Sequence, residues 1–339
     1  MNRTVFLFAL LVFFSCGSQT GGVEIPAIEK KVNGLSLVSM NKLLDKEEIL
    51  PILQTNANWT SVIPFAFLPD ENKPGLVFDS EWQWIGERIE GAVEAIQLMH
   101  KSNVSVMLKP QIWVGRGVFT GEIQMNNESD WKKFEQEYGN FILTFAKLAE
   151  REKVEMLCVG TEMHHVAVDR PFFWKELIKE IRIVYSGKVT YAENWDCYDQ
   201  VPFWNDLDFI GIDAYFPIAE GNNPSDRKLY EGWKKLDLEL SSYSEKLDKS
   251  IIFTEYGYRS IAACAESPWN YKSESNVSEQ AQYRALKALY DVMWEKPYFA
   301  GGFLWKWYPD HINAGGSKNT MFTVQNKKAE ELVRSRYGD

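Results

Sequence analysis

Short apolar runs alternate with longer stretches of helical spacing from about residue 35 to the C-terminus. The apolar runs fall at 35–39, 59–67, 104–108, 154–159, 188–192, 207–212, from Ile251 onward, and at 299–304. They are short, rich in β-branched and aromatic residues, and read as buried strands. Pro64 sits inside the second run and suits only a strand end, because proline cannot donate to a ladder. Between the runs, apolar residues recur every three or four positions. Phe134, Tyr138, Phe141, Ile142, Phe145 and Leu148 form one such stripe, and Trp84, Ile85, Ile89, Val93, Ile96 and Met99 another. Further helices are predicted over 42–54, 174–185, 233–247 and 329–336. Asp79 or Ser80, Ser129 or Asp130, and Ser278 are the candidate N-caps. Eight strands in one unbroken alternation with helices predict an α/β protein: a single-domain (β/α)₈ TIM barrel over 33–339. Gly301-Gly302 in the last strand fits a crowded closure.

The strand exits carry the chemistry. Polar and aromatic residues collect where strands three to eight end, the face on which such barrels keep their active sites. Ile251-Ile252-Phe253-Thr254 runs straight into Glu255, and Met156-Leu157-Cys158-Val159-Gly160-Thr161 into Glu162. A lone strand-end Glu is best read as a solvent-facing group. Two of them, on strands four and seven across the mouth from each other, suit acid/base and nucleophilic work on a glycosidic bond. Glu193, Asp213 and Asp310 also follow strands but lack that pairing and rank below. His164-His165 does not suggest a metal site: adjacent side chains on a regular element diverge, and only four His exist in the chain. They read as loop or sugar-contact residues. No cofactor is expected.

Composition sharpens this picture. Thirteen Trp and fifteen Tyr among 339 residues exceed what core filling needs, and flat aromatic faces suit sugar rings. A net charge of −10 with scattered Lys and Arg excludes a nucleic-acid backbone as partner. At the N-terminus, Arg3 precedes an apolar run at 5–14 and then Ser15-Cys16-Gly17. The run is too short to span a bilayer. Residues 1–16 read as a bacterial lipoprotein-type signal with Cys16 lipidated, and 17–32 as a flexible tether. The expectation is an exported protein held at a membrane, periplasmic or at the cell surface, only through that anchor; a signal cut nearby would instead release a secreted protein. The other cysteines, Cys158, Cys197 and Cys264, make no complete disulfide framework. A monomer is expected.

The motifs Val159-Gly160-Thr161-Glu162 and Phe253-Thr254-Glu255-Tyr256-Gly257 resemble those of clan A glycoside hydrolases, most closely family 113. Gly211-Ile212-Asp213-Ala214-Tyr215-Phe216-Pro217 and Gly302-Phe303-Leu304-Trp305-Lys306-Trp307-Tyr308 extend the resemblance over essentially the whole mature chain. It implies a retaining, metal-free, endo-acting β-1,4-mannanase-like enzyme on a polysaccharide or oligosaccharide. It further implies Glu162 as acid/base, Glu255 as nucleophile, Tyr215 as hydrogen-bond donor to Glu255, and Trp305 as the floor under the reacting sugar. Asn194, Trp195, Lys109, Gln111, Trp113, Thr161, His164 and Lys306 are the expected substrate contacts. Most of the clan has Asn where Thr161 stands, so the group that reads the sugar 2-hydroxyl is left open. Galactan, glucan or a host glycan remain alternatives on the same fold, as does a carbohydrate-binding lipoprotein without catalysis.

Overall fold

Eight of the apolar runs become parallel strands in the computed structural model, which describes residues 30–272 and 275–339. They are β1 (Val32–Leu37), β2 (Trp59–Val62), β3 (Ser105–Leu108), β4 (Met156–Thr161), β5 (Lys188–Asn194), β6 (Ile210–Asp213), β7 (Ile251–Tyr256) and β8 (Phe299–Trp307). Each pairs with its sequence neighbours, and β8 returns to β1, which closes the barrel. Side chains alternate across each strand. Val32, Met107, Met156, Cys158, Ala192, Ile252, Ala300 and Phe303 fill the interior. The opposite set packs outward against the helices in a larger cluster. Closure is tight where β8 passes between β1 and β7. A Cβ on Gly301, at φ +102°, would lie 2.3 Å from the Val32 carbonyl oxygen, and one on Gly302 would lie 2.5 Å from that of Phe253.

The helices are α1 (Lys46–Gln54), α2 (Ile89–Lys101), α3 (Glu128–Glu152), α4 (His164–Asp169), α5 (Pro171–Val184), α6 (Asp226–Leu247), α7 (Glu279–Met293) and α8 (Lys328–Gly338). α3 buries Trp131, Phe134, Tyr138, Phe141, Ile142, Phe145 and Leu148. Its N-cap is Asn127, two residues earlier than expected; the Asn127 side chain accepts the Asp130 N–H at 3.0 Å. Ser278 caps α7 as expected, accepting from Ala281 N–H. α2 starts at Ile89 rather than next to Asp79, because a 3₁₀ turn (Ile85–Glu87) intervenes. Asp79 still serves it across that turn, accepting the Ile89 N–H at 3.0 Å. Among the described residues no helix is long and apolar enough to cross a membrane. Cys16, the signal and most of the tether lie outside the described residues.

Two features reach beyond the plain barrel. The run predicted as one strand over 59–67 breaks at Pro64. β2 ends at Val62, and Phe65–Leu68 forms a separate strand. It pairs in parallel with Gln111–Val114, which likewise continues past β3 after Pro110, and antiparallel with Val77–Phe78. This small sheet builds up one wall of the barrel mouth. Elsewhere, α8 ties the first strand to the seventh. The Tyr337 hydroxyl donates to the Gly34 carbonyl of β1 at 2.9 Å and lies 2.6 Å from the Tyr256 hydroxyl of β7. Asn56 donates to the Arg334 carbonyl at 3.0 Å.

Candidate active site

Three apolar residues root β7 in the barrel, so Glu255 is delivered at its mouth with 7% of its surface exposed. Both carboxylate oxygens are held. The Tyr215 hydroxyl donates to Oε2 at 2.7 Å; Lys109 Nζ and Gln111 Nε2 donate to Oε1 at 2.5 and 3.1 Å. The parallel register sets Asp213 of β6 beside Glu255. Lys109, fully buried, also reaches the two Asp213 oxygens at 3.2 and 3.3 Å, and Thr254 Oγ1 donates to Asp213 Oδ1 at 2.7 Å. One ammonium is thus shared by two buried carboxylates. Burial opposes the Lys109 charge, but the Asp213 and Glu255 carboxylates outweigh it and its pKa lies above the usual lysine range. Asp213 is pushed up, first by burial and then by the charge of Glu255.

Glu162 enters from β4 by a distorted path. The β4–β5 register shifts between Cys158 and Thr161, and Glu162 has a left-handed backbone at φ +51°. For a residue with a Cβ that conformation costs roughly 1–2 kcal/mol, so the surroundings must hold it. Its N–H donates to the Ala192 carbonyl at 2.7 Å, and the next N–H, of Met163, donates to the Tyr191 hydroxyl at 2.9 Å. The Glu162 carboxyl is raised well above the ordinary range, by burial first and then by the charges of Asp213 and Glu255; Lys109 opposes this. An anchored carboxylate and a carboxylic acid that keeps its proton now share one mouth. That division of labour is what a two-carboxylate hydrolysis needs.

The sequence profile of Glycoside Hydrolase Family 113 matches residues 43–327. The chain belongs to this family. It is a glycoside hydrolase. Its fold is similar to that of the family 113 β-mannanase of Alicyclobacillus acidocaldarius, with a TM-score of 0.79 and 23% identity over 91% of this chain and 97% of that one. A second solved family 113 β-1,4-mannanase gives 0.77 and 23%, over 91% and 99%. A β-glucuronidase of an uncultured Clostridium sp. gives 0.60 and 18%, over 90% of this chain and 49% of that one. At these identities the likenesses bear on the fold alone. No protein of curated function matches the sequence.

Around the family 113 carboxylates, the expected contacts separate into two groups. Trp305 and Lys306, at the end of β8, are partly exposed, and the Lys306 ammonium lies 5.5 Å from the Trp305 ring and 5.2 Å from that of Tyr308. Asn194 and Trp195 lie at the β5 exit, partly exposed; Trp195 stacks on Trp269 with centroids 4.8 Å apart. Trp113 on the small sheet is 55% exposed and stacks on Phe65 at 4.9 Å. Thr161 Oγ1 and His164 Nδ1 are buried with no hydrogen-bond partner among the described residues. Lys109 requires correction: with no exposed surface and both partners being carboxylates, it acts on Glu255 from below and cannot be a sugar contact. Gln111, partly exposed, donates its amide N–H to Glu255. His164 and His165 open α4 rather than a loop.

Asp213 and Glu193, ranked below the Glu162 and Glu255 pair on sequence, are both fully buried. Asp213 belongs to the Lys109 cluster, and burial pushes the Glu193 carboxyl up to about 7. Asp310 is exposed and bonded to Asn313. Among the described residues no cluster of His, Cys, Asp or Glu is arranged to hold a metal ion.

Proposed function

We propose that this family 113 enzyme cleaves β-1,4-linked mannan or manno-oligosaccharides by double displacement with retention of configuration. The substrate is suggested by the β-mannanases among its solved likenesses. The observation that carries the mechanism is the contrast between the two carboxyl groups. Glu255 is fixed by Lys109, Gln111 and Tyr215, all of which donate to it and so hold its oxygens in one place. On Glu162, burial and like charges outweigh the opposing charge of Lys109, so it keeps a proton.

In the first step Glu255 attacks the anomeric carbon while the glycosidic C–O bond breaks, and Glu162 gives its proton to the departing oxygen. The sugar is then an ester of Glu255. That ester carries no charge, so one of the pressures on Glu162 vanishes and it becomes a competent base. It takes a proton from water, whose oxygen displaces the ester and restores the original configuration. Trp305, Trp195 and Trp113 offer faces for sugar rings, and Asn194 and Lys306 polar contacts. Cleavage within the chain, as in an endo-acting enzyme, is part of the proposal.

The same proposal extends to location: an exported monomer anchored through a lipidated Cys16. An N-terminal peptide from cell membranes carrying the mass of a diacylglyceryl group on Cys16 supports it, and an unmodified peptide in the medium refutes it. The reaction is tested by NMR of products from β-mannan and manno-oligosaccharides, with Glu255→Ala and Glu162→Ala controls. Early β-anomeric products that disappear in Glu255→Ala are expected. Unchanged turnover in either variant overturns the assignment of that residue, and an intact mannan beside another cleaved β-glycan overturns the substrate.

A further inference from the structure

Behind the barrel wall at the Glu162 turn lies a buried polar chain that the scheme above does not use. Ala192 belongs to the barrel interior, so its strand neighbours Tyr191 and Glu193 face outward. Tyr191 is fully buried, with its ring 5.1 Å from that of Trp174 and 5.4 Å from that of Phe203. Its hydroxyl accepts the Met163 N–H at 2.9 Å, which leaves its own proton to give. Glu193 Oε2 lies 3.4 Å away to take it, and Glu193 Oε1 accepts the Asn194 N–H at 2.9 Å. With the Glu162 N–H bonded to the Ala192 carbonyl, two successive N–H groups of the strained turn are tied to β5. The far end of the chain grips the residue that opens the β5 exit.

We infer that Tyr191 and Glu193 are positioning residues: they hold Glu162 in its left-handed conformation and lock its turn to Asn194, so that the proton donor and the β5 sugar contact keep a fixed relation. The inference rests on the reading of Glu162 as acid/base. Neither residue touches substrate, since both lie outside the barrel wall. The charged groups that act on Glu162 are Asp213 from β6, Glu255 from β7 and Lys109 from β3, and, through the wall, Glu193 from β5. Those that face Glu193 are Asp213 and Asp196. Glu193 therefore both orients the Glu162 turn and adds to the pressure that keeps its proton on.

A leaving-group comparison separates this from a merely structural role. A dinitrophenyl glycoside departs without acid help, whereas an unactivated phenyl glycoside needs the proton. Tyr191→Phe keeps the ring packing and removes the hydroxyl. It should lower kcat/KM on a phenyl β-mannotrioside at least about tenfold, leave the dinitrophenyl glycoside within about threefold, and move the alkaline limb of the pH profile. Glu193→Ala should do the same, and Glu193→Gln, which keeps one of the two acceptor oxygens, should recover part of the loss. Equal losses on both substrates, or none on either, overturn the inference. Should Tyr191→Phe fail to fold, the Glu193 pair carries the same test. Glu162→Ala is run alongside: if it shows no leaving-group dependence, the acid/base reading itself fails, whatever the other variants do.

Discussion

Replacing Lys109 by Met keeps the length of the stem and removes the one cation that two buried carboxylates share. The ammonium has no exposed surface and lies 2.5 Å from Glu255 and 3.2 Å from Asp213. At an effective dielectric constant of about 20, a pair of unit charges 4 Å apart attracts by about 4 kcal/mol. Removing one partner of a buried pair costs about 3–5 kcal/mol, because the other is left without compensation. The stranded carboxylates can relieve that cost by holding protons to higher pH. A protonated nucleophile cannot attack, so the loss falls on the acid side of the profile. With 1.36 kcal/mol per pH unit, about 3 kcal/mol moves the acid limb up by roughly 2 pH units and lowers kcat/KM about 100-fold below it. The assay is kcat/KM on a manno-oligosaccharide across the pH range, with urea unfolding at each end to establish that the fold persists. Adding Asp213→Asn removes one of the stranded charges and should return part of both the limb and the rate. The reasoning is refuted if the acid limb of Lys109→Met stays in place, or if the two substitutions simply multiply their losses.

Three further outcomes follow from the same geometry. Asp213→Asn alone removes a negative charge that raises Glu162, so the alkaline limb of kcat should move to lower pH; an unmoved limb counts against Glu162 as the titrating acid. Glu193 has its carboxyl raised from 4.5 to about 7, so the stability it lends is fully present below pH 4.5 and is lost as pH rises through about 7. Glu193→Gln cannot titrate, and its stability relative to the parent should therefore improve by roughly 3 kcal/mol between pH 4.5 and 8 in urea unfolding; a constant difference refutes this. Trp113→Ala should raise KM for long chains by up to about tenfold, from a stacking contribution of about 0.5–1.5 kcal/mol, while KM for short aryl glycosides hardly changes.

Much of the barrel was legible because the signals are local. Ile251-Ile252-Phe253 reads as a buried strand without knowledge of its neighbours, and the stripe from Phe134 to Leu148 can only be one face of a helix. Caps were less readable where several acceptors compete, as with Asn127, Ser129 and Asp130 before α3. Pro64 signalled a strand end, yet the sheet formed beyond it depends on where Gln111–Val114 lies. Site residues divided in the same way. Glu162 and Glu255 stand out as charges ending apolar runs. The role of Lys109 arises from partners 104 and 146 positions away, which no local pattern carries. Glu193 was harder still. Whether it faces the mouth or the helices depends on strand parity, which a one-residue slip inverts.

The bond that α8 makes to β1 has a temporal consequence. β1 is made first, but its ladder to β8 and the Tyr337 hydrogen bond to Gly34 need the last residues of the chain. A polypeptide emerging N-terminus first from a ribosome thus spends almost its whole synthesis as an open, unfinished sheet. Truncation near the C-terminus would trap it there, and any reporter fused at that end would have to leave Tyr337 free to dock.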